Sequence, residues 1–306
     1  MTKFDADLYD SLKHLLSDPL STLVPKKEDF YSALKPDFHS YKPTGTLKLS
    51  VSGSKCEQRC NHCNARYLAS MVKPKLPIPS DFFDNFTSIL VSGGSDKDGA
   101  VNLSGVADFL NDIPDYIQRN FHVGWQRPLE AFQNVTLRET DCVSFDLPVS
   151  DKVFRDVFRL PYTAAEAFQL FKTYSAYVKT VPHLTIGLTD ETPEAELALL
   201  NELSYLALPA LVFLVFRPTA NTPMADKEPP ALSNILTILK SGILKLDCPI
   251  ILGCMRPSAP YRNDLDILSY MLGINRIVMP SAKLVKNLEK FGIEINQYSD
   301  CCSLTL

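Results

Sequence analysis

Thr46-Leu-Lys-Leu-Ser50-Val-Ser-Gly-Ser-Lys55-Cys56-Glu-Gln-Arg-Cys60-Asn-His62-Cys63 begins as an apolar, strand-like run and ends in three cysteines spaced Cys-x3-Cys-x2-Cys. Three closely spaced thiolates can hold three irons of a four-iron, four-sulfur cluster and leave the fourth iron without a protein ligand. An iron with an open position can bind and reduce a small molecule. The place of the cysteines directly after a strand matters as much as their spacing, because it fixes the end of the fold at which they sit.

From that strand onward short β-rich runs alternate with longer amphipathic stretches. The pattern predicts strands at 46–52, 87–92, 121–125, 142–147, 183–188, 210–217, 249–254 and 276–280. Helices are predicted at 104–118, 163–178, 193–205, 231–245, 262–272 and 281–290, with a weakly marked one around 127–134. Eight strands separated by helices is the count of a (β/α)8 TIM-type barrel, complete or nearly so. A doubly wound open sheet is the alternative.

Ahead of the barrel, residues 1–45 read as a short helical N-terminal extension. Phe4, Leu8, Leu12, Leu15 and Leu16 recur at helical spacing, and Pro19, Pro25, Pro36 and Pro43 then break the chain. The barrel itself is read as 46–292, and 293–306 as a cysteine-bearing C-terminal tail. The chain of 306 residues is 45% hydrophobic and 22% charged, enough apolar material for a large core. Its net charge of −4 and the absence of basic runs argue against a nucleic-acid surface. The start of the chain shows no signal-peptide core, and no apolar stretch approaches the roughly 18 residues that span a bilayer. A cytoplasmic protein without membrane contact is expected, in which the eight cysteines read better as metal ligands than as disulfides.

A barrel sorts those cysteines. Function gathers at the C-terminal ends of the strands and stability at the N-terminal ends. Cys56, Cys60 and Cys63 follow the first predicted strand and Cys254 closes the seventh, so these four belong to the functional mouth. Cys142 opens the fourth strand and Cys248 precedes the seventh; both read as buried small hydrophobes. Cys301 and Cys302 lie in the tail, which is expected to fold back across the mouth and join Cys254. Three thiolates would anchor a second cluster there, with Ser303, Arg256 or a non-protein group as fourth ligand. A loosely ordered tail and a zinc site are the alternatives. Zinc is also the alternative at the first motif, as a Cys3His site with His62, although adjacent His62 and Cys63 are expected to converge poorly on one ion.

The Cys-x3-Cys-x2-Cys run resembles the signature of the radical S-adenosylmethionine (SAM) superfamily. Ser92-Gly93-Gly94-Ser95-Asp96 resembles that family's Gly-Gly-Glu turn, with Ser95 in place of the acidic residue. Ser144-Phe145-Asp146 sits where the family binds the SAM ribose; pairing of Asp146 with Arg155 or Arg159 is the competing reading. Arg217-Pro-Thr219-Ala-Asn221-Thr-Pro223 is similar to a turn of the biotin synthase-like branch. The resemblance implies a [4Fe–4S] cluster on Cys56, Cys60 and Cys63, and SAM contacts from His62, Gly93, Gly94, Ser144, Asp146, Arg217 and Thr219. His183 starts its predicted strand and reads as structural.

Within that branch the Leu252-Gly-Cys-Met-Arg-Pro257 and Cys301-Cys-Ser-Leu304 elements resemble the two-component lipoyl synthases. That likeness implies sulfur insertion into a protein-bound octanoyl chain, with an auxiliary [4Fe–4S] cluster on Cys254, Cys301 and Cys302 as sulfide donor. The implied partners are a paralogous radical SAM subunit, an octanoylated lipoyl domain or H protein, and an electron donor such as ferredoxin or flavodoxin. The competing readings are a biotin synthase-like or other radical SAM enzyme that methylates or rearranges a small molecule, a zinc-stabilised interaction protein, and an inactive barrel that supports a partner.

Overall fold

A computed structural model describes residues 3–17, 20–76, 78, 79 and 81–306; for residues 3–7 only the backbone is described. The Phe4 side chain and Pro19 therefore lie outside the described residues. Every predicted strand forms, some of them shortened or shifted: β2 (Thr46–Ser50), β3 (Ser88–Ser92), β4 (Gln118–Phe121), β5 (Cys142–Asp146), β6 (Lys179–Ile186), β7 (Leu211–Val215), β8 (Ile250–Leu252) and β9 (Arg276–Val278). Two further strands are present, β1 (Asp37–Tyr41) inside the segment read as a helical extension and β10 (Glu294–Tyr298) inside the segment read as a tail. Both are short and rich in polar residues, so neither carries the apolar signal of a buried parallel strand.

All ten strands join one parallel sheet in the order β10-β1-β9-β8-β7-β6-β5-β4-β3-β2. The strands β2 to β9 thus lie side by side in chain order, the arrangement of a TIM-type barrel. The first strand is inserted between the last two: Tyr41 lies opposite Val278 of β9 and Tyr298 of β10. The sheet curls until its two edges meet just beyond β10, where the Gly45 amide donates to the Ser299 carbonyl at 2.9 Å. A Cβ on Gly45 would stand 2.8 Å from Thr87 Oγ1 and 3.0 Å from Ser299 Oγ, so a side chain here would have to displace those hydroxyls from the seam.

The helices α1 (Lys3–His14), α2 (Lys27–Ala33), α3 (Ala107–Asn111), α4 (Pro128–Ala131), α5 (Ala164–Tyr177), α6 (Glu194–Leu203), α7 (Leu232–Lys245), α8 (Tyr261–Met271) and α9 (Ala282–Lys290) complete the layer. α5 starts where the sequence says it should: Thr163 and Glu166 form a reciprocal capping box, with 2.8 Å from the Thr163 amide to Glu166 Oε2. α3 is much shorter than the predicted 104–118, because Pro114 stops it. Among the described residues no helix is long and apolar enough to cross a membrane.

Two apolar regions result. The larger lies between sheet and helices and contains Phe38, Phe109, Phe154, Phe171 and Phe213, each almost fully buried. The smaller fills the barrel interior with Tyr41, Val181, Val212, Ile251 and Val278, and the tail residue Cys302 belongs to it. At the N-terminal end of the strands, Arg119 of β4 grips Asp141 in two bonds of 2.8 and 2.6 Å, and both side chains are fully buried. Cys142 is fully buried beside this pair, whereas Cys248 is half-buried at the edge of the larger core.

Candidate functional site

At the C-terminal ends of the strands a cavity of about 510 Å³ opens. Most of its wall is apolar, including Leu90, Val101, Trp125, Phe145, Leu214 and Met255. Cys56, Cys60, His62, Cys63, Gly93, Gly94, Ser144, Asp146, Arg217 and Cys254 all face it. Of the residues expected at the site only Thr219, Cys301 and Cys302 are absent from this wall. Thr219 is buried beside it, its hydroxyl 3.0 Å from that of Tyr67, a bond that ties the segment after the cysteines to the loop after β7.

The cysteine loop curls tightly. The Cys63 and Asn64 amides both donate to the Cys60 carbonyl, at 3.2 and 2.9 Å, and Arg59, Asn64 and Ala65 take left-handed backbone. This curl overturns one expectation: the ligand atoms of Cys60, His62 and Cys63 lie within 4.8 Å of one another despite the adjacency of the last two residues. Cys56 stands outside that group. His62 Nδ1 is buried without a hydrogen-bond partner among the described residues, with its ring edge-on to Phe158. The Cys60 and Cys63 thiols share a hydrogen bond. It holds the Cys63 thiolate down at about 4, aided by His62, and pushes Cys60 well above the ordinary thiol range. A thiolate poised in this way is a ready metal ligand.

Two elements hold the loop. The Arg159 guanidinium donates to the carbonyls of Gln58 and Arg59 at 2.8 and 2.7 Å. Arg159 caps a π-helical turn, Val153–Phe158, whose Val157 carbonyl accepts from the Asn61 amide at 2.8 Å. Arg155 pairs with Asp156 at the surface. Neither arginine serves Asp146, so that competing reading is excluded. The second element is the Gly93-Gly94 turn. A Cβ on Gly94 would lie 1.9 Å from the Lys55 carbonyl oxygen and 2.5 Å from Cys56 Cβ. Its glycine is required by the approach of the cysteine loop, and its amide is taken by Ser52 Oγ at 2.7 Å.

Asp146 closes β5 with an exposed side chain that faces the cavity. Desolvation raises its carboxyl, against the pull of His183 and His62. His183 also lines the cavity, 5.6 Å ring to ring from His122. Its expected place as the first residue of a strand fails because β6 begins four residues earlier, at Lys179. His183 Nδ1 is 3.1 Å from the Val181 carbonyl, which fixes the proton on Nδ1 and leaves Nε2 as acceptor. Burial lowers both imidazoles to about 4. Nothing in the residues around His122, which follows a strand of ordinary composition, marks it as a cavity residue. Arg217 reaches the cavity with no ion pair or hydrogen bond to its guanidinium among the described residues.

The tail does not fold across the mouth. It enters the barrel from the opposite end, where Asp300 accepts from Thr87 and Ser88 at 2.5 and 2.7 Å, and runs through the interior beneath the cavity. Ser144 joins the two levels: it faces the cavity and bonds Ser303 Oγ at 3.0 Å. From this side Cys301 and Cys302 still come within electrostatic reach of Cys254. Arg256 is fully buried and committed to Asp266 and the Val278 carbonyl, which removes it from the possible ligands of a second cluster.

No protein-family model matches the sequence, and no curated protein matches it. Among solved structures the chain is similar to the FeFe-hydrogenase maturase HydG from Carboxydothermus hydrogenoformans, with a TM-score of 0.57, 12% identity, and coverage of 95% of this chain and 79% of that one. It is also similar to methylornithine synthase (PylB), with a TM-score of 0.55, 11% identity, and coverage of 94% and 97%. At such identities the likeness is one of fold: a TIM-type barrel of parallel strands and outer helices.

Proposed function

We propose that the chain is a radical SAM enzyme, and that its chemistry is sulfur insertion of the lipoyl synthase kind. The observation that carries the first part is the cysteine loop itself, at the barrel mouth and open to an apolar cavity. A single zinc ion needs ligands at about 2.0–2.3 Å, and Cys56 lies outside the compact Cys60, His62, Cys63 group. A four-iron cluster is larger and reaches three spread thiolates, so the donor set of Cys56, Cys60 and Cys63 fits it better. The fold shared with the hydrogenase maturase and the methylornithine synthase agrees with this reading.

Cys56, Cys60 and Cys63 would hold the cluster at this loop, and with SAM it would supply radical chemistry able to act on an unactivated carbon. The protein's part is to orient and to exclude water. Asp146 offers two acceptor oxygens to a vicinal diol. Arg217, uncommitted at the mouth, suits a carboxylate. The apolar wall accepts an alkyl chain and gives a reactive species little to attack. Cys254 on the cavity wall, with Cys301 and Cys302 beneath, would hold the auxiliary cluster that donates sulfide. An octanoylated lipoyl domain or H protein as substrate, a paralogous subunit and a ferredoxin or flavodoxin donor belong to the same proposal.

The test is an anaerobic assay of the reconstituted protein with SAM, reductant and an octanoylated lipoyl-domain peptide, with and without a candidate sister subunit. A mass gain of one sulfur per turnover is expected, together with 5′-deoxyadenosine, and Cys56→Ala should abolish both. A colourless zinc protein would end the radical SAM reading. Methylornithine synthase, named for a small-molecule product, favours a second reading: rearrangement of a small molecule without an auxiliary cluster. That case would give 5′-deoxyadenosine but no thiolated peptide.

A further inference from the structure

The chain that leaves β2 forms a lobe fastened at its neck. The Ser50 amide donates to the Val72 carbonyl at 2.7 Å, and the Val72 amide donates to the Lys48 carbonyl at 2.8 Å. Leu49 and Val72 thus pair as a parallel bridge, and the residues between them leave and rejoin the sheet at one place. Lys73 lies against the base of the lobe, its stem 3.5 Å from the Cβ position at Gly53. Cys56, Cys60 and Cys63 all belong to this lobe.

The lobe carries a charge opposite to that of the molecule. Residues 53–76 hold Lys55, Arg59, Arg66, Lys73 and Lys75 against one carboxylate, Glu57, a net +4 in a chain of net −4. All five cations are exposed, and among the described residues none of their side chains has an ion pair or hydrogen bond. Elsewhere Lys27, Arg138, Lys152 and Arg155 each find a carboxylate. Three of the nine exposed large apolar residues among those described, Tyr67, Val72 and Leu76, lie in the same stretch. Apolar surface interleaved with uncommitted charge of one sign is the make-up of a recognition face rather than of a merely solvated loop.

We infer that this lobe is the docking face for a small acidic protein that carries single electrons, of the flavodoxin or ferredoxin kind; this rests on the radical SAM reading of the cysteine loop and not on sulfur insertion. One electron leaves the carrier's reduced cofactor and one enters the cluster, with no bond made or broken. Position selects this occupant. Lys55 and Arg59 each directly precede a ligand cysteine, and the Arg66 amide donates to the Cys63 carbonyl at 2.9 Å. A domain that delivers substrate would span the mouth, yet the loops after β5 and β6 neutralise their own charge there, Lys152 with Asp190 and Arg155 with Asp156. Contacts for electron transfer are small and rely on charge to orient the partner, which suits a single lobe.

The test titrates the anaerobically reconstituted full chain with a purified flavodoxin, and separately with a bacterial ferredoxin, by calorimetry at low and high salt. At least one carrier should bind at low salt and weaken as salt rises. Lys73→Glu with Lys75→Glu should raise that Kd by about tenfold or more. Lys240→Glu with Lys286→Glu, exposed on α7 and α9, makes the same change in net charge away from the lobe and should shift it by less than about twofold. The milder Lys73→Gln with Lys75→Gln should fall between them. The lobe variants should also slow bleaching of the cluster by the reduced carrier, while dithionite bleaches it at the wild-type rate. Equal Kd values for the two glutamate pairs, or no binding of either carrier, would overturn the docking face even where dithionite bleaches the cluster normally. A lipoyl domain that binds through Lys73 and Lys75 when neither carrier does would overturn it in favour of the substrate domain. A chain that takes up no iron removes the radical SAM reading itself, and with it the need for an electron carrier.

Discussion

Arg159 fastens the cysteine loop to the turn after β5, with 2.8 Å between its Nη2 and the carbonyl oxygen of Gln58. The bond spans 101 residues of chain and sets the pitch of the segment from which Cys60 and Cys63 project. Charged donors to carbonyls contribute about 1.5–3 kcal/mol each, less where solvent reaches them as it does here. Arg159→Ala should therefore lower global stability by only about 1–2 kcal/mol. Its larger effect should be on the loop, read as faster loss of iron to a chelator from the reconstituted protein. Unchanged chelation kinetics would mean that the loop holds its own shape.

Gly94 is predicted to tolerate no side chain. The clash of a Cβ is with backbone at Lys55 and with Cys56, neither of which can swing aside. Gly94→Ala should cost about 3 kcal/mol or more, or displace Cys56 and reduce iron incorporation. Urea unfolding and iron analysis separate the two results. Gly105→Ala, with nothing within 4 Å of its added Cβ, is the neutral control.

Asp141 and Arg119 form a fully buried pair at the floor of the barrel. Asp141→Ala leaves a guanidinium without a counter-charge in an apolar setting, a loss of about 3–5 kcal/mol. Replacing both, as Arg119→Met with Asp141→Leu, should recover much of that. A double variant no more stable than Asp141→Ala would show that the Arg119 bonds to the Leu110 and Thr136 carbonyls are the part that matters.

His122 and His183 make stability depend on pH. Burial holds both near 4, below the ordinary imidazole value of 6.5, so the folded state binds fewer protons than the unfolded one between these limits. Stability is then full above pH 6.5 and falls as pH drops toward 4. Each imidazole contributes on the order of 2 kcal/mol of the loss by pH 5. The His122→Asn, His183→Asn double variant should show a flatter curve of unfolding free energy between pH 7.5 and 5. Parallel curves would remove the imidazoles as its cause.

Much of the fold was legible because parallel strands buried on both faces are runs such as Leu211–Val215, which few other structures accommodate. β1 and β10 were not, because Asp37–Tyr41 and Glu294–Tyr298 mix polar and aromatic residues without a clear period. The mouth residues from Cys56 to Arg217 were found by their place at strand ends. Arg159 was named only as a partner for Asp146, since nothing in Val153–Phe158 announces a π-helical turn. Cys142 reads as a buried small hydrophobe at the N-terminal end of its strand, and it is fully buried in the apolar barrel interior. The tail that climbs through the barrel from that end is not foreseen by the strand pattern. For His183 the difference is one of boundary: the strand predicted at 183–188 begins at Lys179, so that His183 lies inside β6.

The insertion of β1 between β9 and β10 has a consequence for how the molecule is made. Both neighbours of this strand are supplied by residues 276–298, so on the ribosome its hydrogen-bonding edges wait unpaired until those residues have emerged, well over 200 residues after the strand itself. Closure of the ring waits for the same residues. Nascent chains stalled before residue 276 should bind chaperones through that open edge, and chains extended past residue 298 should not.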